Sequence, residues 1–132
     1  MANKRRMFNS AITESDPFTE LPFGAQALYL HLNMWGADDD GIVGAPLRIT
    51  RAIGADKEDL EALIKAHFLL RFPSGVVAIK HWLVNNTIRR DRYTPSTYTE
   101  ERKALKVKAN RGYSLKEGTP LEDYFGNQLA TK

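Results

Sequence analysis

Apolar residues fall along the chain in short, separately punctuated groups. The first, Met7, Phe8, Ala11 and Ile12, lies in an extended piece from Arg5 to Thr13. Ser15-Asp16-Pro17 then reads as a helix start, because Pro17 fits the first turn, where its missing N–H would have been unpaired. It gives one or two turns, to Leu21. Pro22 opens the first substantial helix. Ala25, Leu28, Leu32 and Trp35 recur there at i, i+3, i+7 and i+10 on one stripe, Tyr29 widens it, and Gly36 ends the helix. Ala37-Asp38-Asp39-Asp40-Gly41 is a polar turn into a stub strand at Ile42-Val43. Pro46 starts a second helix, with Ile49, Ala52 and Ile53 on one side and Gly54 placed for a left-handed closing residue. Asp56 caps a third, in which Leu60, Leu63, Ile64 and Phe68 face inward while Lys57, Glu58, Glu61 and Lys65 face water. Leu69–Phe72 and Val76–Val84, on either side of Pro73-Ser74-Gly75, make a β-hairpin.

This order predicts an α+β fold: a winged helix-turn-helix, three helices plus a β-hairpin wing, over residues 1–84. A basic C-terminal extension follows at 85–111. It carries a short helix from Tyr98 to about Lys106, for which Thr97 and Glu100 form a capping box. Residues 112–132, with Gly112, Gly118, Pro120 and Gly126, read as a loosely ordered tail.

Composition narrows the chemistry. The 132 residues include no cysteine, so disulfides, thiolate metal sites and cysteine nucleophiles are excluded. No apolar run approaches the roughly 18–20 residues of a membrane span. The basic N-terminus lacks the apolar stretch of a signal peptide, and the expected location is cytoplasmic. His31, His67 and His81 form no ligand pattern. The Asp38–Gly41 turn is no calcium loop, since Leu47 stands where a bidentate glutamate is needed. Nucleotide-binding and nucleophile-elbow motifs are absent. No catalytic residue, metal or cofactor is expected.

Charge distribution says more than the net +3. Residues 37–70 carry four basic and seven acidic side chains, whereas residues 71–111 carry ten basic and three acidic. A concentrated basic stretch beside a winged helix points to a polyanion. The candidate DNA-binding residues are Arg71 and Lys80 on the hairpin, then Asn85, Asn86, Arg89, Arg90, Arg92 and Tyr93, then Lys103 and Lys106, with Lys108 and Arg111 extending the potential. Lys4, Arg5 and Arg6 form an N-terminal arm. Arginine forks onto phosphates or guanine, and asparagine and tyrosine add phosphate or base contacts. The third helix argues the other way. Asp56, Glu58, Asp59 and Glu61 crowd its first turns, the part that enters the major groove in a typical helix-turn-helix.

Four segments together resemble a known family. They are Arg-Arg-Met-Phe (5–8), Gln-Ala-Leu-Tyr-Leu-His-Leu (26–32), Asp-Asp-Asp-Gly-Ile-Val (38–43) and the block 79–98 with its His-Trp…Asn-Asn-Thr-Ile-Arg-Arg-Asp-Arg-Tyr. The chain is similar over roughly 4–105 to the N-terminal winged-helix domain of phage and prophage replisome organisers, DnaD-like replication initiation proteins. That resemblance implies a protein of a bacterial host cell that binds double-stranded origin DNA, self-associates, and helps bring a helicase loader or helicase to the origin. It places Arg89, Arg90, Arg92 and Tyr93 just after the wing. Two other readings compete: an oligomerising protein-interaction scaffold, and a small winged-helix transcriptional regulator.

Overall fold

The computed structural model describes residues 5–88 and 91–124 and shows a mixed α+β protein. Two helical turns come first, α1 (Ser10–Thr13) and α2 (Asp16–Thr19). Asn9 caps α1 by accepting from the Ala11 N–H at 2.9 Å, so the piece expected to be extended turns helical at Ser10. Next come α3 (Phe23–His31), which runs on as a π-helical turn over Leu32–Gly36, then β1 (Ile42–Val43), α4 (Pro46–Ala52) and α5 (Lys57–Lys65). Helix α3 starts after Pro22, α4 at Pro46 and α5 after Asp56, the start signals that the sequence displays. At the start of α5 the Asp59 carboxylate accepts from the Asp56 N–H at 2.9 Å.

Strands β2 (Leu69–Arg71) and β3 (Val77–Ile79) pair antiparallel, with Leu69 opposite Ile79 and Arg71 opposite Val77. β1 adds to the other edge of β3, Ile42 opposite Ala78, giving the order β1-β3-β2. The second strand is shorter than the apolar run suggested. It ends at Ile79, and Trp82–Asn85 coils into a helical turn, α6. Burial explains this: Trp82, fully enclosed, donates its indole N–H to the Asp39 carbonyl at 2.9 Å, which a continuing strand would not allow.

Beyond α6 the expected short helix is α7 (Thr99–Ala104); Tyr98 stands at its N-cap with no side-chain bond, so the expected Thr97–Glu100 capping box does not form. The chain then extends into β4 (Lys106–Val107), flanked by β5 (Tyr113–Ser114) and β6 (Thr119–Pro120) in a second antiparallel sheet. Residues 112–124 are therefore built into the fold, contrary to the reading of a loose tail; 125–132 lie outside the described residues. Tyr113 and Leu121 are buried with Leu105 and Val107 in the same apolar core as the helices. At the centre of that core Phe18, Tyr29 and Phe68 meet edge to face, with centroids 5.3 to 5.6 Å apart, a geometry the aromatic quadrupole favours.

Candidate nucleic-acid interface

The acidic turn between α3 and β1 proves to be the organising centre. Asp38 accepts from the Asp40 and Ile42 N–H groups at 2.9 and 3.0 Å, the way an aspartate closes a turn on its own backbone. Gly41, at φ 79°, lies against the Trp82 side chain, so a Cβ there would be both strained and blocked. The turn aims Asp39 and Asp40 inward. Asp39 binds the Arg6 guanidinium at 3.2 Å and the Thr94 N–H at 3.0 Å. Asp40 accepts from the Tyr93 hydroxyl at 2.5 Å, the Ser96 N–H at 2.8 Å and Arg102 Nε at 3.0 Å, while its carbonyl takes the Tyr113 hydroxyl at 2.6 Å.

Burial sets the electrostatics. It raises the Asp38 carboxyl above its usual range. It raises Tyr93 too, helped by the hydrogen bond to Asp40, and it holds Tyr113 well up. For Arg102 burial works against the charge, but the bonds to Tyr93 and Asp40 win and keep the guanidinium above its ordinary value.

This centre withdraws several residues from the expected interface. Arg6 is not an arm. Its side chain is 4% exposed, donates to the Ala37 carbonyl at 3.1 Å and stands 5.0 Å over the Trp82 ring. Asn85 and Asn86 are buried and clamp the N-terminal segment. Asn86 accepts from the Met7 N–H at 2.8 Å; Asn85 accepts from the Asn9 N–H and donates to the Tyr29 hydroxyl, both at 2.9 Å. Their amides serve the fold, enclosed away from any phosphate. Tyr93 is half-buried and spent on Asp40 and Arg102. Lys4, Arg89 and Arg90 lie outside the described residues.

Other candidates stay at the surface. Arg5, Arg71, Arg92 and Lys103 are exposed, and Lys80 and Lys106 are half-exposed. Arg71 pairs with Glu61 across the surface. Lys80 meets the turn joining β4 to β5: its carbonyl accepts the Tyr113 N–H at 2.9 Å and its Cε comes 4.0 Å from the place of a Gly112 Cβ. That turn carries Lys108 and Arg111, the latter in the left-handed region at φ 67°. Lys80, Lys108 and Arg111 thus gather where the two sheets meet. Lys108 lies 3.9 Å from the exposed Glu117 carboxylate, a loose pair that water screens. The neighbouring His81 is pushed toward its neutral form, first by burial and then by the Lys80 charge.

Two clefts flank α4. One of about 390 Å³ lies between α4, α5 and the hairpin, with Lys57 and Arg71 as its cations and Glu61 between them. The other, of about 500 Å³, is walled by Trp35, Arg48 and Tyr98. Arg48 and Arg51, exposed on α4, were not singled out from the sequence. Their i, i+3 spacing on the side away from Ile49 was the available signal. On α5 Asp59 is used in the cap and Glu61 is paired with Arg71 at the surface.

Comparison of the chain with protein-family models, curated protein sequences and solved structures finds no match. Among the described residues no helix is long and apolar enough to cross a membrane.

Proposed function

We propose that this chain is a DNA-binding protein of the replication-initiation type, built on a winged helix and gripping duplex DNA from the edge where its two sheets meet. The order α3-β1-α4-α5-β2-β3, with strand order β1-β3-β2, supports the winged-helix reading. The observation that carries the function is the gathering of Lys80, Lys108 and Arg111 at one tip, while the acidic turn is folded inward onto Arg6 and Arg102. Cations at the surface with carboxylates enclosed give the field a polyanion follows. Origin binding and recruitment of a helicase loader or helicase rest on the resemblance of the block 79–98 to replisome organisers.

Changing Lys80, Lys108 and Arg111 together to alanine is expected to weaken duplex binding about 10-fold or more. The slope of log affinity against log salt should flatten by roughly 0.9 for each phosphate no longer neutralised. Unchanged affinity and slope would transfer the assignment to the scaffold reading, which a separate observation favours: α3 shows water a face of large apolar side chains. A map of bound sites separates replication from transcription, since repeated sites within a replication gene support the first and sites over a promoter the second.

A further inference from the structure

Helix α3 and its π-turn are apolar on two opposite sides, and only one of them is covered. Ala25, Leu28, Tyr29 and Leu32 face the core and are fully enclosed. On the other side Phe23, Ala27, Leu30 and Met34 follow one another at steps of four, three and four residues, the spacing of a helix-packing seam. Phe23 is 86% exposed, Met34 44% and Leu30 39%.

The π-turn extends this seam. In an uninterrupted α-helix Trp35, seven residues after Leu28, would stand above it in the core. A π-turn rotates less per residue, so over Leu32–Gly36 the chain lags. Trp35 therefore swings toward Met34 and remains 53% exposed. The same lag carries Asn33 inward, where its amide donates to the Tyr29 carbonyl at 2.8 Å. From Leu21 to Ala37 the chain has no Asp, Glu, Lys or Arg. This face offers nothing to a phosphate and no charge by which to choose a charged partner.

We infer that this stripe is a self-association surface on which a second copy of the chain seats its own α3, antiparallel, about a two-fold axis between Leu28 and Tyr29. Antiparallel pairing sets Phe23 of one copy against Met34 and Trp35 of the other, a sulfur–aromatic and aromatic match. Ala27 lies opposite Leu30, the small residue making room for the large one. The area suits this occupant. Phe23, Leu30, Met34 and Trp35 leave roughly 450 Å² of apolar side chain open per copy, within the roughly 300–600 Å² of the largest patch on a monomer, which is often functional. Two copies, with Ala27 and the adjoining backbone, reach at most roughly 1,000 Å², the size of weak, transient interfaces below the roughly 1,200 Å² of stable ones. The dimer is accordingly weak, associating in the micromolar range. The inference does not depend on DNA binding.

Sedimentation velocity from about 1 to 200 µM, a range that brackets this affinity, tests it on the whole chain. The wild type should pass from monomer to dimer. Leu30→Glu should remain monomeric throughout, and so should Phe23→Ser, chosen because so exposed a side chain gives the fold little to lose. Both should keep the wild-type circular dichroism. Leu115→Glu, at an exposed leucine in the loop between β5 and β6, should dimerise normally. A wild type monomeric across the range overturns the proposal, as does dimerisation that survives both stripe substitutions. So does a monomer whose stripe instead drives co-sedimentation with neutral phosphatidylcholine vesicles.

Discussion

Asp40 joins pieces of chain that are far apart in sequence: Tyr93 and Ser96 from the segment after α6, Arg102 from α7, and Tyr113 from the second sheet. Its side chain is wholly enclosed, and Arg102 beside it is 12% exposed. A buried pair of this kind adds little over an apolar isostere, but removing one partner strands the other charge. Asp40→Ala should therefore cost about 3–5 kcal/mol in urea-induced unfolding; a loss below about 1 kcal/mol would show that the network is not holding the extension. The run Asp38–Asp40 is visible in the sequence as a turn. Its role as a hub is not, because ion pairing has no period: nothing in the spacing of Arg6 or Arg102 distinguishes them from cations that stay in water. The same holds for Asn85 and Asn86, whose amides suit a groove and a backbone clamp equally well until burial decides.

Helix α5 was readable at its start, from Asp56, and along the apolar face of Leu60 and Leu63. Its C-terminal closure was not, since the left-handed position after the helix is filled by His67, at φ 66°, where glycine is usual. The His67 side chain is exposed, so His67→Gly should relieve the backbone and stabilise the protein by about 0.5–1 kcal/mol. In calorimetry the melting temperature should rise roughly 2–5 °C. No rise would place the strain elsewhere. Elements with their own cap or proline were foreseeable; those made by pairing were not. Strands β4, β5 and β6 have two residues each, too few to show alternation, and they exist because Val107, Tyr113 and Leu121 find the core. The π-turn was invisible for a related reason, as Trp35 completes an ideal helical stripe on paper and leaves it only through a local change of pitch.

Taken together, the enclosed tyrosines tie the fold to its phenolic protons. Burial pushes Tyr29 up to about 12 from 10.0 and raises Tyr93 and Tyr113 as well. The folded state keeps protons that the unfolded chain releases near pH 10. Stability from this source is complete below that pH and falls as pH climbs above it, by about 1.4 kcal/mol per unit for each tyrosine still protonated. Circular dichroism and tyrosinate absorbance should change together in one alkaline transition between about pH 10 and 12. Tyrosinate formation by these three groups near pH 10, with the fold retained, would contradict the burial. For function, the basic excess of 71–111 was legible and is only partly available: Arg102 turns inward, Arg71 pairs with Glu61, and Lys80 and Arg111 stay at the edge with Lys108, itself loosely paired with Glu117. The measurement that bears most directly on nucleic-acid binding is titration of a labelled duplex and of its single strand with the wild-type chain, at about 50 and 200 mM salt. The account predicts tighter binding to the duplex, with affinity falling at least 10-fold between the two salts as the attraction to several phosphates is screened. Equal affinity at both salts, or no duplex binding at the lower one, would contradict it.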